Sequence, residues 1–400
     1  MFWSDGRIQC VDWATHTAVN IPFHVVDARE AVKPFRVQIE VAPATVESRM
    51  ARFPVVAPDG ASVVFESLGR LWLRTLPDGT PRRLTDDADP AFELYPAFSR
   101  DGSRIAFVRW TDQTLGEIRV VSAAGGAGDA VTRVPGHYLY PRFSPDGQEL
   151  VFEAVSGGDL TAPEWSEQIG ILRVPAAGGD VTRVVSDGRD AHFGADGARI
   201  YFTRDVTPAT ESGPAHELVS VNRDGLDPQV VARSAYATRM LVSPDARWLL
   251  FREHFHIYSL PLPPAGTIDL SKSTTALPLR RLSRDGGEFP AWSGASTVTF
   301  ALGATLFAAD LAQGPGSPRA TNRESGQRDQ TDNYAPARAT LGIRQPADTP
   351  RGRIALVNAR IVTMDGSDTT IDNGTILIED NRIAALGPAM LPLPPATRTL

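Results

Sequence analysis

The chain has 400 residues, 42% of them hydrophobic and 22% charged, which places it among folded globular proteins and leaves room for two or three domains. Its net charge of -7, without a long run of either sign, excludes the basic surface typical of nucleic-acid-binding proteins, so no nucleic-acid partner is predicted. The single cysteine, Cys10, excludes an internal disulfide framework, and no apolar run is long enough to predict a transmembrane segment.

The N-terminal region contains two strand-like segments, GRIQCVDW and TAVNIPF, within residues 7 to 26. We predict that they are the outer strands of a repeated unit, so the chain is expected to be a piece of something longer. The first residues lack the basic and apolar segments of a signal peptide. The localisation therefore stays open: periplasmic or secreted if a longer precursor is exported, and otherwise cytoplasmic.

The central region carries an internal repeat. An Asp-Gly or Asp-Ala dipeptide recurs at separations of 42, 45, 50 and 49 residues, which is the period of a propeller blade. Proline often precedes the aspartate and glycine follows it, as tight turns require. These turn aspartates are Asp59, Asp101, Asp146, Asp196 and Asp245.

The residues after each turn aspartate follow one pattern. An aliphatic residue stands four positions later and a phenylalanine six positions later, and these two offsets share one face of a strand. The position between them is mostly apolar, which predicts a strand buried on both faces. The phenylalanines are Phe65, Phe107, Phe152, Phe202 and Phe251, with Phe300 in a sixth copy that lacks the Asp-Gly.

An aromatic residue followed by proline precedes several of the turns, as in Phe53, Tyr95, Tyr140 and Phe289. This predicts a short inner strand with a proline near its start. Two further strands, separated by Gly-rich turns such as AAGGAG, follow in each copy. Four short antiparallel strands per copy predict an all-β fold made of propeller blades.

The segments YPAFSRDGSRIAF and YPRFSPDGQELVF resemble the Tol-type (TolB-like) β-propeller repeats. The resemblance covers roughly residues 50 to 312. The resemblance implies a Tol-type propeller over residues 1 to 314. Six blades with a shared closing blade is our interpretation, and seven is the alternative. A polar stretch from 315 to 352 is predicted to be a linker with a possible closing strand.

Residues 353 to 400 resemble the N-terminal strands of the amidohydrolase superfamily, here LVNARIVTMDG and ILIEDNRIAALG. In that family such strands form a small sandwich beside a metal-dependent (β/α) barrel. The resemblance implies a hydrolase that uses one or two divalent metals, of the zinc type, against a carbon-nitrogen or related bond. The segment is thus expected to be a small incomplete β-sandwich, with the catalytic barrel absent from this chain.

The ligands that this resemblance implies are a His-x-His pair, further histidines, a lysine and a late aspartate. None can be carried over, because the last histidine is His256 and the last lysine is Lys272. We therefore predict that this chain has no catalytic, metal-binding or cofactor-binding residue. The pair in His254-Phe255-His256 is interpreted as alternate residues on one face of a blade strand. No G-x-S-x-G motif for a serine hydrolase occurs.

Two residues of the inner strands are candidates for binding. Arg142 and His192 each lie four positions before a turn aspartate and are predicted to face the central channel. A channel arginine either holds the carboxylate of a substrate or peptide or pairs with an acid of a neighbouring blade. Three functions stay open: the propeller gates or docks substrate for an amidohydrolase, it binds a protein or peptide in the cell envelope as a stand-alone module, or it is a purely structural scaffold.

Overall fold

A computed structural model shows an all-β chain that divides into two compact units. One unit combines Met1–Pro43 with Thr349–Leu400, and the other is Ala44–Asp348. Within the part of the chain that the structure describes, no helix is long and apolar enough to cross a bilayer. The described residues are 1–4, 6–30, 43–85, 90–157, 168–210, 213–312, 334–366 and 369–400.

The N-terminal strands form a small antiparallel sheet of their own: β1 (Phe2–Ser4), β2 (Arg7–Val11) and β3 (Ala18–Asn20). The turn between β2 and β3 is closed by Asp12, whose Oδ1 accepts the backbone N–H groups of Ala14 and Thr15 at 2.8 and 2.9 Å. The assignment of residues 7 to 26 to a propeller blade was wrong. A strand pattern predicts the strand but not the partner with which it pairs.

The described residues of the second unit form six sheets of four or five strands, together with one short two-stranded pairing. In chain order its strands are β4 (Thr45–Glu47), β5 (Arg52–Val56), β6 (Ser62–Ser67), β7 (Arg70–Thr75), β8 (Arg82–Arg83), β9 (Phe92–Phe98), β10 (Arg104–Thr111), β11 (Leu115–Ser122), β12 (Asp129–Ala130), β13 (His137–Phe143), β14 (Glu149–Val155), β15 (Gly170–Pro175), β16 (Thr182–Val185), β17 (Arg189–Phe193), β18 (Arg199–Asp205), β19 (His216–Asn222), β20 (Gln229–Ser234), β21 (Ala237–Val242), β22 (Trp248–Glu253), β23 (His256–Pro261), β24 (Ile268–Leu270), β25 (Arg280–Arg281), β26 (Glu288–Ser293), β27 (Thr297–Leu302), β28 (Thr305–Asp310), β29 (Ala337–Thr340) and β30 (Arg344–Pro346).

Each large sheet is an antiparallel meander that begins with one inner strand. The inner strands are β5, β9, β13, β17, β21 and β26. The first five sheets contact one another in chain order through these strands, the fifth contacts the sixth through β22 and β26, and β26 contacts β5 of the first sheet. One sheet gains a fifth strand, because β24 pairs in parallel with β20. The ring of sheets identifies the unit Ala44–Asp348 as a β-propeller.

The repeated phenylalanines occupy the second strand of each sheet, and their burial confirms the register predicted from the sequence. Phe65, Phe152 and Phe251 are completely buried, and Phe107 and Phe300 are 1% exposed. Their aliphatic neighbours are buried as well, as in Val63 to Phe65. Each such ring contributes about 1.5–3 kcal/mol through removal of apolar surface from water.

The two ends of the propeller unit pair with each other. In the β4–β30 pairing, Glu47 lies opposite Arg344 and Thr45 opposite Pro346. The last sheet is completed by β29, which lies in the segment predicted to be a linker with a possible closing strand. The structure thus bounds this unit at 44 and 348 rather than at 1 and 314. Residues 315–333 of the predicted linker lie outside the described residues.

The C-terminal segment forms one four-stranded sheet in the order β33-β32-β31-β34, with β34 parallel to β31. The β32–β33 hairpin turns at Asp380, which adopts the left-handed conformation with φ 53°. Ala355, Ile361 and Leu377 are buried, whereas Ile383 on the edge strand is 65% exposed. The strands are β31 (Arg353–Val362), β32 (Thr370–Glu379), β33 (Arg382–Pro388) and β34 (Arg398–Thr399).

Candidate functional site

The inner strands share a backbone irregularity six residues before the turn aspartate. Phe53, Tyr95 and Tyr140 have φ values of 50°, 56° and 49° there, and the strand pairing shifts register at the same point. Positive φ is uncommon for an aromatic residue, and a bulge of this kind re-aims the side chain. Asp190 has φ 57° at the same offset, and Phe289 has φ 54° in the last sheet.

The re-aimed aromatic rings meet at the propeller axis and form what we call the aromatic layer: Phe53, Tyr95, Tyr140 and Phe289. The ring centroids of Phe53 and Tyr95 are 4.5 Å apart, those of Tyr95 and Tyr140 are 4.4 Å apart, and those of Phe53 and Phe289 are 4.7 Å apart. These spacings are those of packed aromatic pairs. Because the rings come from four sheets, the layer closes this part of the axis.

An ion pair occupies the two remaining positions of the same layer. Arg239 Nη2 lies 2.9 Å from Asp190 Oδ1, and the Arg239 guanidinium lies 4.5 Å from the centroid of the Tyr140 ring. Both side chains are largely buried, at 15% and 4% exposure. Burial alone would lower the pKa of Arg239, but the Asp190 carboxylate raises it. The Arg239 guanidinium therefore stays charged beside the Asp190 carboxylate, and the two opposite charges offset each other.

Glu153 of β14 approaches this ion pair from the neighbouring sheet. Its Oε1 accepts a hydrogen bond from the backbone N–H of Asp190, and its side chain is buried. Burial, followed by the charge of Asp190, raises the pKa of Glu153 to about 8. Glu153 is therefore mostly protonated, and uncharged, at neutral pH.

A pocket of about 510 Å³ lies between the aromatic layer and the turns. The lining residues four positions before the turns follow the aromatic layer by one step of the strand repeat, so they lie at the end of the pocket next to that layer. The apolar wall includes Phe98, Phe143, Phe193 and Trp292. The residues next to the layer, called the floor below, are Val55, Ala97, Arg142, His192, Leu241 and Ala291. Both sequence candidates are among them.

His192 uses both ring nitrogens within the protein. Nδ1 lies 2.9 Å from the carbonyl oxygen of Asp190, and Nε2 accepts the backbone N–H of Val242 at 2.9 Å. These partners assign the neutral ring with the proton on Nδ1. Burial lowers the pKa of His192 to about 4, so the ring stays neutral at physiological pH. His192 thus forms part of the floor and has no donor left for a ligand.

Arg142 is different, because it makes no hydrogen bond or ion pair with any residue that the structure describes. Its side chain lines the pocket. Burial and then the positive charge of Arg239 lower the pKa of Arg142 to about 10. The guanidinium is nevertheless charged at neutral pH, and its fork of N–H donors is available to a ligand.

A second arginine spans the mouth of the pocket. Arg100 extends from the turn of the second sheet, where its Nη1 donates to the carbonyl of Ala195 at 2.9 Å and its Nη2 to that of Pro244 at 3.4 Å. Those carbonyls belong to the turns of the fourth and fifth sheets. The Arg100 side chain therefore crosses the opening.

Sequence reasoning missed Arg100, Glu153 and the ion pair. Asp190 and Arg239 stand six positions before Asp196 and Asp245, the offset at which other copies carry an aromatic residue. An alignment of the copies on their turn aspartates would therefore have shown that charged residues replace the aromatic ones at these two positions. No comparable signal identified Arg100, because its partners lie 95 and 144 residues away.

The interpretation of His254-Phe255-His256 was wrong in geometry. His254 and Phe255 form the turn between β22 and β23, where His254 has φ 52°, and His256 is the first residue of β23. His254 thus lies in the turn and His256 in the strand that follows, so the two rings do not share the face of one strand. His256 contacts Arg281 and Ser283, and no cluster of three potential metal ligands occurs among the described residues.

Comparisons with known proteins relate the chain to one curated sequence and to several solved structures. No family model matches the chain. A curated relative, the "Uncharacterized peptidase YuxL" of Bacillus subtilis, is 27% identical over 158 residues, which are 39% of this chain. The chain spans 21% of the length of that relative.

Solved structures with similar folds include two TolB proteins. The putative TolB from Agrobacterium tumefaciens has 19% identity and a TM-score of 0.43, covering 53% of this chain and 76% of its own. TolB from Acinetobacter baumannii has 18% identity and a TM-score of 0.43, covering 61% and 57%. The β-propeller domain of Myceliophteria thermophila Cps50 (Swd1) has 13% identity and a TM-score of 0.40, covering 68% and 86%.

Proposed function

We propose that the propeller unit is a binding module whose axial pocket takes the carboxylate of a substrate or peptide. The observation that carries the proposal is the guanidinium of Arg142, which is without a partner among the described residues at the floor of an apolar pocket. A planar guanidinium binds a carboxylate through two parallel hydrogen bonds.

The charges around the floor support an anionic ligand. Arg239 and Asp190 neutralise each other, and Glu153 is mostly protonated at neutral pH. Arg142 and Arg239 then share the single negative charge of Asp190, so the group carries a net positive charge in a poorly solvated place, which is unfavourable. A bound carboxylate supplies the missing charge.

Binding of small acids tests this proposal. We expect 3-phenylpropionate to bind and 3-phenylpropionamide not to bind, as measured by ligand-observed NMR and calorimetry. Arg142→Gln should abolish binding of the acid, whereas Arg284→Gln, at a position 74% exposed, should leave it unchanged. Equal binding of the acid to Arg142→Gln and to the wild-type protein contradicts the proposal.

We propose in addition that the bound ligand serves a hydrolase of the amidohydrolase superfamily. The support is the resemblance of residues 353 to 400 to that family, in a segment that folds as paired strands. The described residues do not fit the metal that such a hydrolase uses, since they contain no suitable ligand cluster. We therefore assign no chemical step to them.

The closed axis favours docking of a substrate over its passage through the propeller. The reading frame tests the amidohydrolase assignment: continuation beyond Leu400 into a His-x-His segment supports it, and a stop codon directly after Leu400 contradicts it. The encoded protein should then hydrolyse amide substrates only when loaded with a divalent metal.

A further inference from the structure

We propose that the ligand of the axial pocket is the free carboxy terminus of an extended peptide, which enters end-on from the face formed by the turns. This inference rests on the proposed function, in which Arg142 binds a carboxylate. It adds the kind of carboxylate and its direction of entry.

The depth of Arg142 is the first argument. Arg142 precedes the turn residue Asp146 by four positions, which places it about 13 Å along the strand from the turn at about 3.3 Å per residue. The carboxylate of an aspartate or glutamate lies only one or two carbons beyond Cβ. An acidic side chain on the surface of a folded partner is therefore too short to reach Arg142, whereas the end of an extended chain is slender enough.

The closed end of the pocket is the second argument. The aromatic layer follows directly below the floor, with Phe53 and Tyr95 packed at 4.5 Å between centroids. A chain cannot continue past this layer, so the group that reaches Arg142 is the end of the ligand. A depth of about 13 Å accommodates roughly four residues of extended peptide.

The chemistry of the floor is the third argument, and it sets the preference for the last residue. Its apolar members, Val55, Ala97, Leu241 and Ala291, line the space beside Arg142, and His192 is neutral with both nitrogens bonded. A small or aliphatic last residue is therefore favoured. A lysine or arginine at the end of the peptide is disfavoured by repulsion from Arg142 and by the lack of a free acceptor on His192.

Three fluorescein-labelled peptides test the inference by fluorescence anisotropy. The first is Gly-Ser-Gly-Ala-Ala-Leu with a free carboxy terminus, the second is its carboxy-terminal amide, and the third is the amide of Gly-Ser-Gly-Ala-Asp-Leu. We expect the free acid to bind at least about tenfold more tightly than either amide, because only the acid makes the charge-assisted pair. Arg142→Gln should reduce its affinity to that of the amides.

A second variant tests the pocket independently, in case Arg142→Gln does not fold. Ala97→Leu fills the floor without removing a charge, and we expect it to weaken binding of the free acid while the melting temperature of the variant confirms folding. If the aspartate-containing amide binds as tightly as the free acid, the inference is overturned. If 3-phenylpropionate binds but the peptide acid does not, this inference fails and the proposed function stands. If neither binds, both fail.

Discussion

Arg239 and Asp190 face each other at the propeller axis with 2.9 Å between Nη2 and Oδ1, at positions where other copies of the repeat carry aromatic rings. Removal of one partner leaves a buried charge without compensation. Arg239→Met should therefore lower the free energy of unfolding by about 3–5 kcal/mol. Denaturation in guanidinium chloride measures this loss.

The double variant Arg239→Met with Asp190→Asn provides the control for the ion pair. It removes both charges, so most of the lost stability should return. The exposed pair of Arg284 and Asp285 offers a comparison, and Arg284→Met should change the stability by less than about 0.5 kcal/mol. A double variant no more stable than Arg239→Met contradicts the assignment.

Glu153 makes the stability of the propeller depend on pH. Its pKa is raised from 4.5 to about 8, so the folded state holds a proton that the unfolded chain releases earlier. The stabilising contribution of this proton is complete below pH 4.5 and is lost as the pH rises through about 8. The titratable and charged groups around Glu153 are Asp190, Arg142, Arg189, Arg239, Tyr95 and Tyr140.

Glu153→Gln keeps an acceptor for the N–H of Asp190 but cannot ionise. The melting temperature of the wild-type protein should fall between pH 5 and pH 8 relative to that of this variant, and the variant should be the more stable protein at pH 8. Parallel curves for the two proteins show that Glu153 does not titrate in this range.

Replacement of a repeated, buried phenylalanine should destabilise the protein far more than replacement of an exposed one. Phe107→Ala should cost about 3–5 kcal/mol, because a ring that is 1% exposed leaves a cavity between packed sheets. Phe255 is 71% exposed, so Phe255→Ala should cost less than about 0.5 kcal/mol. Thermal melting compares the two variants, and similar losses in both mean that the offset-six position is not part of the core.

Arg100 should control how fast a ligand enters the pocket. Arg100→Ala removes two hydrogen bonds across the mouth, and we expect association of 3-phenylpropionate to become faster by up to about tenfold. NMR line-shape analysis measures the rate, with Arg284→Ala as the control. An unchanged association rate in Arg100→Ala shows that the side chain does not obstruct entry.

The C-terminal sheet should exchange its amide protons faster than the blades do. Strand β33 lies at the sheet edge, and Ile383 and Leu386 are 65% and 44% exposed. Edge strands with little buried apolar surface open at low free-energy cost. Hydrogen exchange read by mass spectrometry compares β33 with β14, and equal protection of the two strands contradicts this expectation.

The sequence predicted those features that depend on local periodicity. The offset from Asp146 to Phe152 fixes which face of the second strand is buried, and this register needs no knowledge of distant residues. The turns could be predicted for the same reason, since proline presets φ and glycine permits positive φ at the turn itself. The site candidates Arg142 and His192 followed from the same register.

Contacts that form only when the sheets close into a ring could not be predicted from the sequence. The contacts of Arg100 join turns of different sheets, and the pairing of Asp190 with Arg239 requires two repeats to meet at the axis. The partner of the hairpin β2–β3 was assigned wrongly for a related reason, because alternation in a strand does not identify its neighbour. His192 lines the axial pocket, but both of its ring nitrogens already have hydrogen-bond partners within the protein.

The contact of β26 with β5 means that none of the described blade sheets is a terminal repeat, and β4 pairs with β30 at the ends of the unit. In an open solenoid the outermost repeats need a polar cap, because each contacts a neighbour on one side only. Here every sheet contacts a neighbour on both sides, and the two ends of the unit are held in adjacent strands. Fraying therefore cannot start from one end of the unit alone, because β4 must first separate from β30. Loss of this strand pairing would free both ends of the unit at once.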